Sequence, residues 1–136
     1  MKIAVCLDNK NGMLFAGRRQ SMDRVLREAF LRLAEGCDIW MDSYTAGQFT
    51  EAASQIHVDE EFLMRADEGD WCCVEKADLS AVADKVKTLA IYRWNRTYPS
   101  DVKFPVDLFA DHWKLISSRE FAGNSHEKIT EEVYSL

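Results

Sequence analysis

The stretch from residue 7 to residue 26 holds the side chains best placed for chemistry. Asp23 stands in the first turn of a helix that is predicted to begin near Met22, and Arg18 and Arg19 stand in the preceding polar loop. A carboxylate at this position either takes part in chemistry or is held there by the helix dipole and by Arg27, four residues further on. The residues alone favour the second, structural interpretation.

Other reactive side chains carry weaker signals. The three histidines are far apart in sequence and form no metal-binding motif; they are His57, His112 and His126. The four cysteines form no C-x-x-C motif, and each lies in an apolar run, which predicts buried, reduced thiols; they are Cys6, Cys37, Cys72 and Cys73. We therefore expect neither a metal site nor a redox site.

Composition restricts the classes of function. The chain has 136 residues, 47% of them hydrophobic, which predicts a single domain over residues 1–136. Its 17 basic and 23 acidic residues give a net charge of −6, which argues against binding to nucleic acid or to anionic membranes. The sequence has no signal peptide and no apolar run of membrane-spanning length, so we expect a cytoplasmic protein.

The elements that must position these residues alternate along the chain. Apolar runs predict strands at residues 3–7, 37–42, 71–76 and 89–94. Helical spacing predicts a helix from Met22 to Ala34, with Ser21 as N-cap and Gly36 as its stop, a short helix within 45–53 and another over 78–86. The polar composition of residues 57–70 predicts a loop or a short helix. The alternation indicates an α/β fold with a mostly parallel sheet and helical crossovers.

The last segment, residues 127–136, fits two structures. Ile129, Val133 and Leu136 have helical spacing, whereas Thr130, Val133 and Tyr134 suit a strand. The spacing alone slightly favours a helix.

Three stretches give the chain a resemblance to dihydrofolate reductase. The first is the opening strand that runs into DNKNGM, a loop and a helix with an early acid; the second is YRWNRTYPSDVKFP, and the third is DHWKLISSREFAGNSHEKITEEVY. The chain resembles a shortened, divergent member of that family. This resemblance implies a dihydrofolate-reductase-like fold with an antiparallel C-terminal hairpin, so we predict a final strand. The family has about eight strands, more than we expect this chain to hold.

The positions that bind the nucleotide in that family differ here. The family's Gly-Arg-x-Thr run corresponds to residues 42–45, where Asp42 and Ser43 replace the glycine and the arginine, and its glycine pair corresponds to Glu75 and Lys76. A carboxylate about 4 Å from a phosphate opposes its binding by about 1–4 kcal/mol per charge pair. We therefore expect no NADPH cofactor.

The substrate end is better preserved. The resemblance places Asp23 where the family's carboxylate accepts N–H bonds from an aminopyrimidine-like ring, and it places Tyr92 where a threonine supports that carboxylate. The candidate ligand-binding residues are Asp23, Arg27 and Tyr92. The predicted function is binding of a pteridine-like or other planar ligand, or of a partner, rather than reduction.

Two alternative functions remain, and we also expect the chain to self-associate. The first alternative is a divergent pteridine or folate-type reductase. The second is a hydrolase or nuclease, because the chain is also similar to short bacterial proteins sometimes labelled ribonuclease Z, although it lacks that enzyme's metal-binding motif. A shortened sheet leaves an edge strand unpaired, which predicts a homodimer.

Overall fold

The computed structural model describes residues 1–51, 53–105 and 113–136. The ten strands within these ranges are β1 Lys2–Leu7, β2 Gly12–Phe15, β3 Arg18–Arg19, β4 Ile39–Met41, β5 Ile56–Val58, β6 Trp71–Cys73, β7 Thr88–Arg93, β8 Val102–Lys103, β9 Lys114–Phe121 and β10 Ile129–Ser135. The helices are α1 Arg24–Leu33, α2 Ser43–Ala46, α3 Phe62–Arg65 and a 3-10 turn at Ala83–Lys85. Our expectation of a chain too short for about eight strands is wrong in its count, although several strands have only two to four residues.

The main sheet confirms the predicted α/β fold. Its seven strands lie in the order β5-β4-β6-β1-β7-β10-β9, and the first five of them are parallel to one another. β10 lies antiparallel between β7 and β9, which forms the C-terminal hairpin that the resemblance implies. Residues 129–135 are therefore a strand and not a helix, because both neighbouring strands supply hydrogen bonds and the sheet buries Ile129 and Val133.

Two apolar layers cover the main sheet. Side chains of β1 alternate between them: Ile3, Val5 and Leu7 pack into one layer, and Ala4 into the other. Helix α1 covers the second layer with Leu26, Ala29 and Phe30. The sheet thus holds α1, and the residues at its start, against the carboxyl end of β1.

Three local predictions are wrong in detail. Ser21 does not cap α1, because Asp23 is the N-cap residue and its carboxylate accepts from the backbone N–H groups of Val25 and Leu26. The short helix predicted within 45–53 lies earlier, at Ser43–Ala46, where Asp42 caps it. The helix predicted over 78–86 is only the 3-10 turn, although its apolar side chains are buried as predicted; they are Leu79, Val82 and Val86.

Two strand structures have no counterpart in the prediction. Residues 57–70 contain helix α3, one of the two structures predicted there, but also the end of strand β5. The loop before α1 contains the β2–β3 hairpin, which forms a small sheet with β8. Ala16 and Gly17 turn this hairpin with φ angles of 51° and 73°, the left-handed conformation that a tight two-residue turn requires. The hairpin brings Arg19, Gln20 and Ser21 towards the main sheet.

Candidate functional site

A cleft lies between α1, the loop after β3 and the carboxyl ends of β1 and β6. About 600 Å³ of space lies between its walls, open solvent at the mouth included, but only about 30 Å³ admits the centre of a water molecule. Its apolar wall is formed largely by Val5, Met13, Leu26, Phe30, Phe49, Val74 and Trp94. An apolar slot with a few polar groups has the composition of a small-molecule site, but its free space is far below the ~300–1,000 Å³ of such sites, so a ligand would have to widen it.

All three predicted ligand-binding residues line this cleft, but their side chains bond to different partners. Asp23, Arg27 and Tyr92 are among its lining residues. The Arg27 guanidinium contacts Glu51, with Nε 3.2 Å from Oε1, so the predicted pairing of Arg27 with Asp23 is wrong. The two residues are linked only through the backbone, where Arg27 N–H donates to the Asp23 carbonyl as α1 begins.

The Asp23 side chain is buried, and six nitrogen or hydroxyl groups lie within hydrogen-bond distance of its carboxylate. Oδ1 accepts from the backbone N–H groups of Val25, Leu26 and Asn124, at 2.9, 3.2 and 3.2 Å. Oδ2 accepts from the N–H and Oγ of Ser125, both at 3.0 Å, and is 3.2 Å from Nδ1 of His126. Burial opposes ionisation, but these bonds outweigh it and lower the pKa of Asp23 to about 2.

This bonding bears on the prediction that Asp23 holds an aminopyrimidine. A carboxylate has about four lone-pair positions, so a ligand would have to displace protein donors from Asp23. Gly123 belongs to the same loop and lies so close that a Cβ atom there would collide with the carboxylate. Asp23 joins the start of α1 to the loop before β10, and its ligand-binding role stays a prediction.

Tyr92 is also buried and bonds to the C-terminal hairpin. Its hydroxyl donates to Glu131 Oε2 at 2.8 Å, and Glu131 Oε1 accepts from Arg119 Nε at 2.9 Å. Burial and the charge of Glu131 raise the pKa of Tyr92. The Tyr92 ring lies edge-on to Phe30, with centroids 6.3 Å apart, so it forms part of the cleft wall and does not support the Asp23 carboxylate through a hydrogen bond.

His126 is a member of the site that the sequence analysis did not single out. Its ring is buried and stacks on Trp94, with centroids 4.6 Å apart and planes 26° apart. Its Nε2 lies 2.9 Å from the Tyr98 hydroxyl and 3.3 Å from Ser21 Oγ. The sequence signal that could have identified His126 is the preceding turn at Asn124 and Ser125, because such a turn places several polar groups close together just before a strand.

The two acids expected to oppose a phosphate have partners in the structure. Glu75 forms an ion pair with Arg19, whose Nε and Nη2 lie 2.8 and 3.1 Å from the two carboxylate oxygens. The Arg19 guanidinium lies 4.2 Å from the centroid of Tyr44, and the Lys76 ammonium lies 3.8 Å from that ring. Asp42 accepts the Thr45 N–H as the cap of α2. Arg19 and Glu75 both line the cleft.

Three arginines around α1 form ion pairs: Arg24 with Glu28, and Arg27 and Arg19 as described above. Arg18, at the start of β3, is exposed.

The other predicted absences concern cysteines and metals. Cys72 is buried, Cys6, Cys37 and Cys73 are half-buried, and all four are free thiols. Burial raises the pKa of Cys72 to about 12 and that of Cys73 well above its ordinary value. His112 lies outside the described residues. Within those residues, no group of three or more His, Cys, Asp or Glu side chains could hold a metal ion, and no helix is long and apolar enough to cross a membrane.

Comparison with known proteins supports the fold alone. The sequence matches no protein-family model and no curated protein. The structure is similar to a dihydrofolate reductase from Enterococcus faecalis that was solved with NADP(H) and RAB-propyl, with a TM-score of 0.67. The match covers 98% of this chain and 94% of that chain, at 9% sequence identity. The chain therefore has a dihydrofolate-reductase-like fold. Its resemblance to proteins labelled ribonuclease Z stays a prediction.

Proposed function

We propose that the chain binds a small planar ligand in the cleft and does not work as a nicotinamide-dependent reductase. The observation that carries this proposal is an unpaired buried acceptor on a residue that lines the cleft. Among the described residues, the buried side-chain polar atoms without a hydrogen-bond partner are Gln20 Oε1 and Thr45 Oγ1, and of these two residues only Gln20 lines the cleft. A buried acceptor left unpaired costs about 1–3 kcal/mol, which a ligand N–H group would relieve.

The orientation of the Gln20 amide follows from its neighbours. Its Nε2 donates to Asp8 Oδ2 at 3.0 Å and lies 3.4 Å from the Pro99 carbonyl oxygen. Both partners accept hydrogen bonds, so the nitrogen faces them and the oxygen is left over. Asp8 also accepts from the N–H groups of Lys10, Gly12 and Tyr98, which fixes it in place. An amino group on a flat aromatic ring is the ligand chemistry that suits such an acceptor in a cleft whose walls include Phe30 and Trp94.

The charge arrangement supports the second half of the proposal. The resemblance assigns the ground near Glu75 to the nucleotide's pyrophosphate, and Arg19 already neutralises that carboxylate at 2.8 Å. A pyrophosphate would have to separate this pair and then meet the Glu75 charge. The structural neighbour was solved with NADP(H), whereas in this chain the corresponding region would favour the ion pair between Arg19 and Glu75. Asp23, Arg27 and Tyr92 then serve as walls of the ligand cleft.

Titration with methotrexate, a planar diamino compound, tests the ligand proposal through tryptophan fluorescence. We expect saturable binding to the wild-type chain, because Trp94 lines the cleft. Gln20→Leu keeps the approximate side-chain size but removes the acceptor, so we expect binding about tenfold weaker, the equivalent of one hydrogen bond.

Gln48→Leu is the matched control, because Gln48 also lines the cleft but is not a buried unpaired acceptor. We expect it to change the dissociation constant by less than about threefold, corresponding to no lost hydrogen bond. Absence of saturable binding, or equal weakening by both substitutions, would count against the proposal.

We further propose that the chain forms a homodimer through β9. This strand is an edge of the main sheet, and all its residues from Lys114 to Glu120 are exposed, Leu115 and Ile116 by 54% and 62%. Antiparallel pairing of two copies about Ser117 would place Lys114 of each copy opposite Glu120 of the other, a favourable cross-strand pair. An exposed apolar edge of this kind is a template for pairing.

Size-exclusion chromatography with light scattering tests the dimer. We expect twice the 15.6 kDa mass of one chain for the wild type and the mass of one chain for Ile116→Lys. Val58→Lys is the control, because Val58 is exposed on β5 at the opposite edge of the sheet, and it should leave the dimer intact. A wild-type chain that elutes as a monomer at high concentration would refute the assembly.

A further inference from the structure

A line of three side chains runs from the buried start of α1 to the cleft. Asp23 Oδ2 lies 3.2 Å from His126 Nδ1, and His126 Nε2 lies 3.3 Å from Ser21 Oγ. A buried carboxylate, an imidazole and a hydroxyl in this order are the parts that activate a serine nucleophile. Such arrangements occur on unrelated folds and are recognised by geometry and not by the order of the residues along the chain.

The surroundings hold the imidazole in the form that a base requires. Nδ1 lies 3.2 Å from Asp23 Oδ2, which can only accept when the carboxylate is ionised, and 2.9 Å from Ser125 Oγ, so we assign the proton to Nδ1 and the acceptor role to Nε2. The ring cannot easily turn over, because it is buried and stacks on Trp94. The N–H groups of Asn124 and Ser125 and the Ser125 hydroxyl also lie within hydrogen-bond distance of this carboxylate and hold it in place. The base is therefore oriented before any substrate arrives.

The cleft gives access to Ser21 before His126. Ser21 is half-buried and lines the cleft, whereas His126 is buried and is not among the lining residues. A molecule in the cleft would meet the hydroxyl first and have the imidazole behind it. If His126 were purely structural, Asp23 at Nδ1 and Tyr98 at Nε2 would be sufficient hydrogen-bond partners. A structural role does not account for Ser21 Oγ, which lies near the same Nε2 atom.

We propose that Ser21 is the nucleophile of an acyl-transfer site in the cleft, with His126 as its general base and Asp23 as the positioning residue, and that the site hydrolyses carboxylic esters. This inference goes beyond ligand binding and does not depend on it. The Tyr98 hydroxyl, 2.9 Å from Nε2, is a donor beside the reacting groups. Once Nε2 is protonated it no longer accepts from Tyr98, whose hydroxyl is then free to donate to the developing oxyanion.

The reaction balances with water as the second reactant. Ser21 Oγ bonds to the ester carbonyl carbon while its proton passes to His126 Nε2. The bond from that carbon to the alkoxy oxygen then breaks, and Nε2 gives the proton to the departing alcohol. Water next attacks the acyl group on Ser21, with Nε2 accepting a water proton and returning it to Ser21 Oγ. The products are one carboxylic acid and one alcohol, and the enzyme is unchanged.

A fluorophosphonate probe tests the nucleophile directly, because it reacts with base-activated serines and displaces fluoride. We expect the full folded chain to gain one adduct by intact mass spectrometry, which peptide mapping places on Ser21. The rate should exceed that of the chain unfolded in urea at least about a hundredfold, the scale of a single catalytic proton transfer. Ser21→Ala should abolish the adduct, and Ser118→Ala, an exposed serine on β9, should keep it.

Two further measurements separate this site from a structural tie. His126→Gln should lower the labelling rate of Ser21 at least about tenfold, provided that circular dichroism shows a folded chain, and p-nitrophenyl acetate should give a burst of p-nitrophenol that Ser21→Ala removes. A folded wild-type chain without a Ser21 adduct, or with the labelling rate of the unfolded chain, would overturn the proposal. Labelling needs no methotrexate, so failure here and failure of the ligand proposal are distinguishable.

Discussion

Asp23→Ala is expected to lower the free energy of unfolding by about 3–5 kcal/mol, because it leaves several buried donors without their acceptor, at about 1–3 kcal/mol each. Part of this loss, about 1 kcal/mol, is the N-cap of α1. The rest arises because the substitution leaves the backbone donors of Asn124 and Ser125 and the ring nitrogen of His126 buried without their acceptor. Urea unfolding followed by circular dichroism measures the change.

Glu28→Ala provides the control for Asp23→Ala. Glu28 also lies near the start of α1, but its ion pair with Arg24 is exposed, so we expect a change within about 0.5 kcal/mol. If Asp23→Ala proves as mild as Glu28→Ala, Asp23 is not the link between α1 and the loop before β10.

Acid should remove stability that the Asp23 carboxylate supplies. Its pKa is about 2 in the folded chain, against an ordinary value of 3.8, so the unfolded chain binds the proton more tightly. The contribution is complete above about pH 4 and is lost as the pH falls towards 2. A difference of this size corresponds to about 2 kcal/mol.

Urea unfolding at pH 5 and at pH 2.5 measures this loss, with Asp23→Asn for comparison. Asp8 and Glu51 also have lowered pKa values, so the wild-type chain loses more than the Asp23 share. The difference in pH dependence between the wild type and Asp23→Asn isolates that share, because the asparagine does not titrate. Identical pH dependence of both chains would contradict the hydrogen-bonding scheme around Asp23.

The sequence predicted the strands that are buried on both faces of the sheet, because such strands consist of an uninterrupted run of apolar residues. β1, β6 and β7 belong to this class, and the sheet lies where those runs are. β10 was predictable only through the family resemblance, because its partners β7 and β9 decide between strand and helix. The segment 78–86 fails for a different reason. Its spacing identified the side chains that are buried, but burial alone does not specify helical hydrogen bonds, and the segment forms only a 3-10 turn.

The site divides in the same way. Asp23 could be found because its position relative to α1 is local, whereas His126 lies more than 100 residues further along the chain and reaches Asp23 only through the order of the sheet strands. Glu75 was recognised as an acid at a nucleotide position, but its pairing with Arg19 depends on the β2–β3 hairpin. Long-range polar contacts of this kind follow from the topology and leave no periodic signal.

We propose that the Arg19–Glu75 pair keeps a nicotinamide dinucleotide out of a cleft that takes a planar ligand. Calorimetric titration with NADPH, of the wild-type chain and of Glu75→Gln, measures this exclusion. We expect no saturable heat with the wild type, and measurable binding once the Glu75 charge is removed and Arg19 is free for phosphate. Micromolar NADPH binding by the wild type, unchanged in Glu75→Gln, would show that the ion pair does not exclude the dinucleotide.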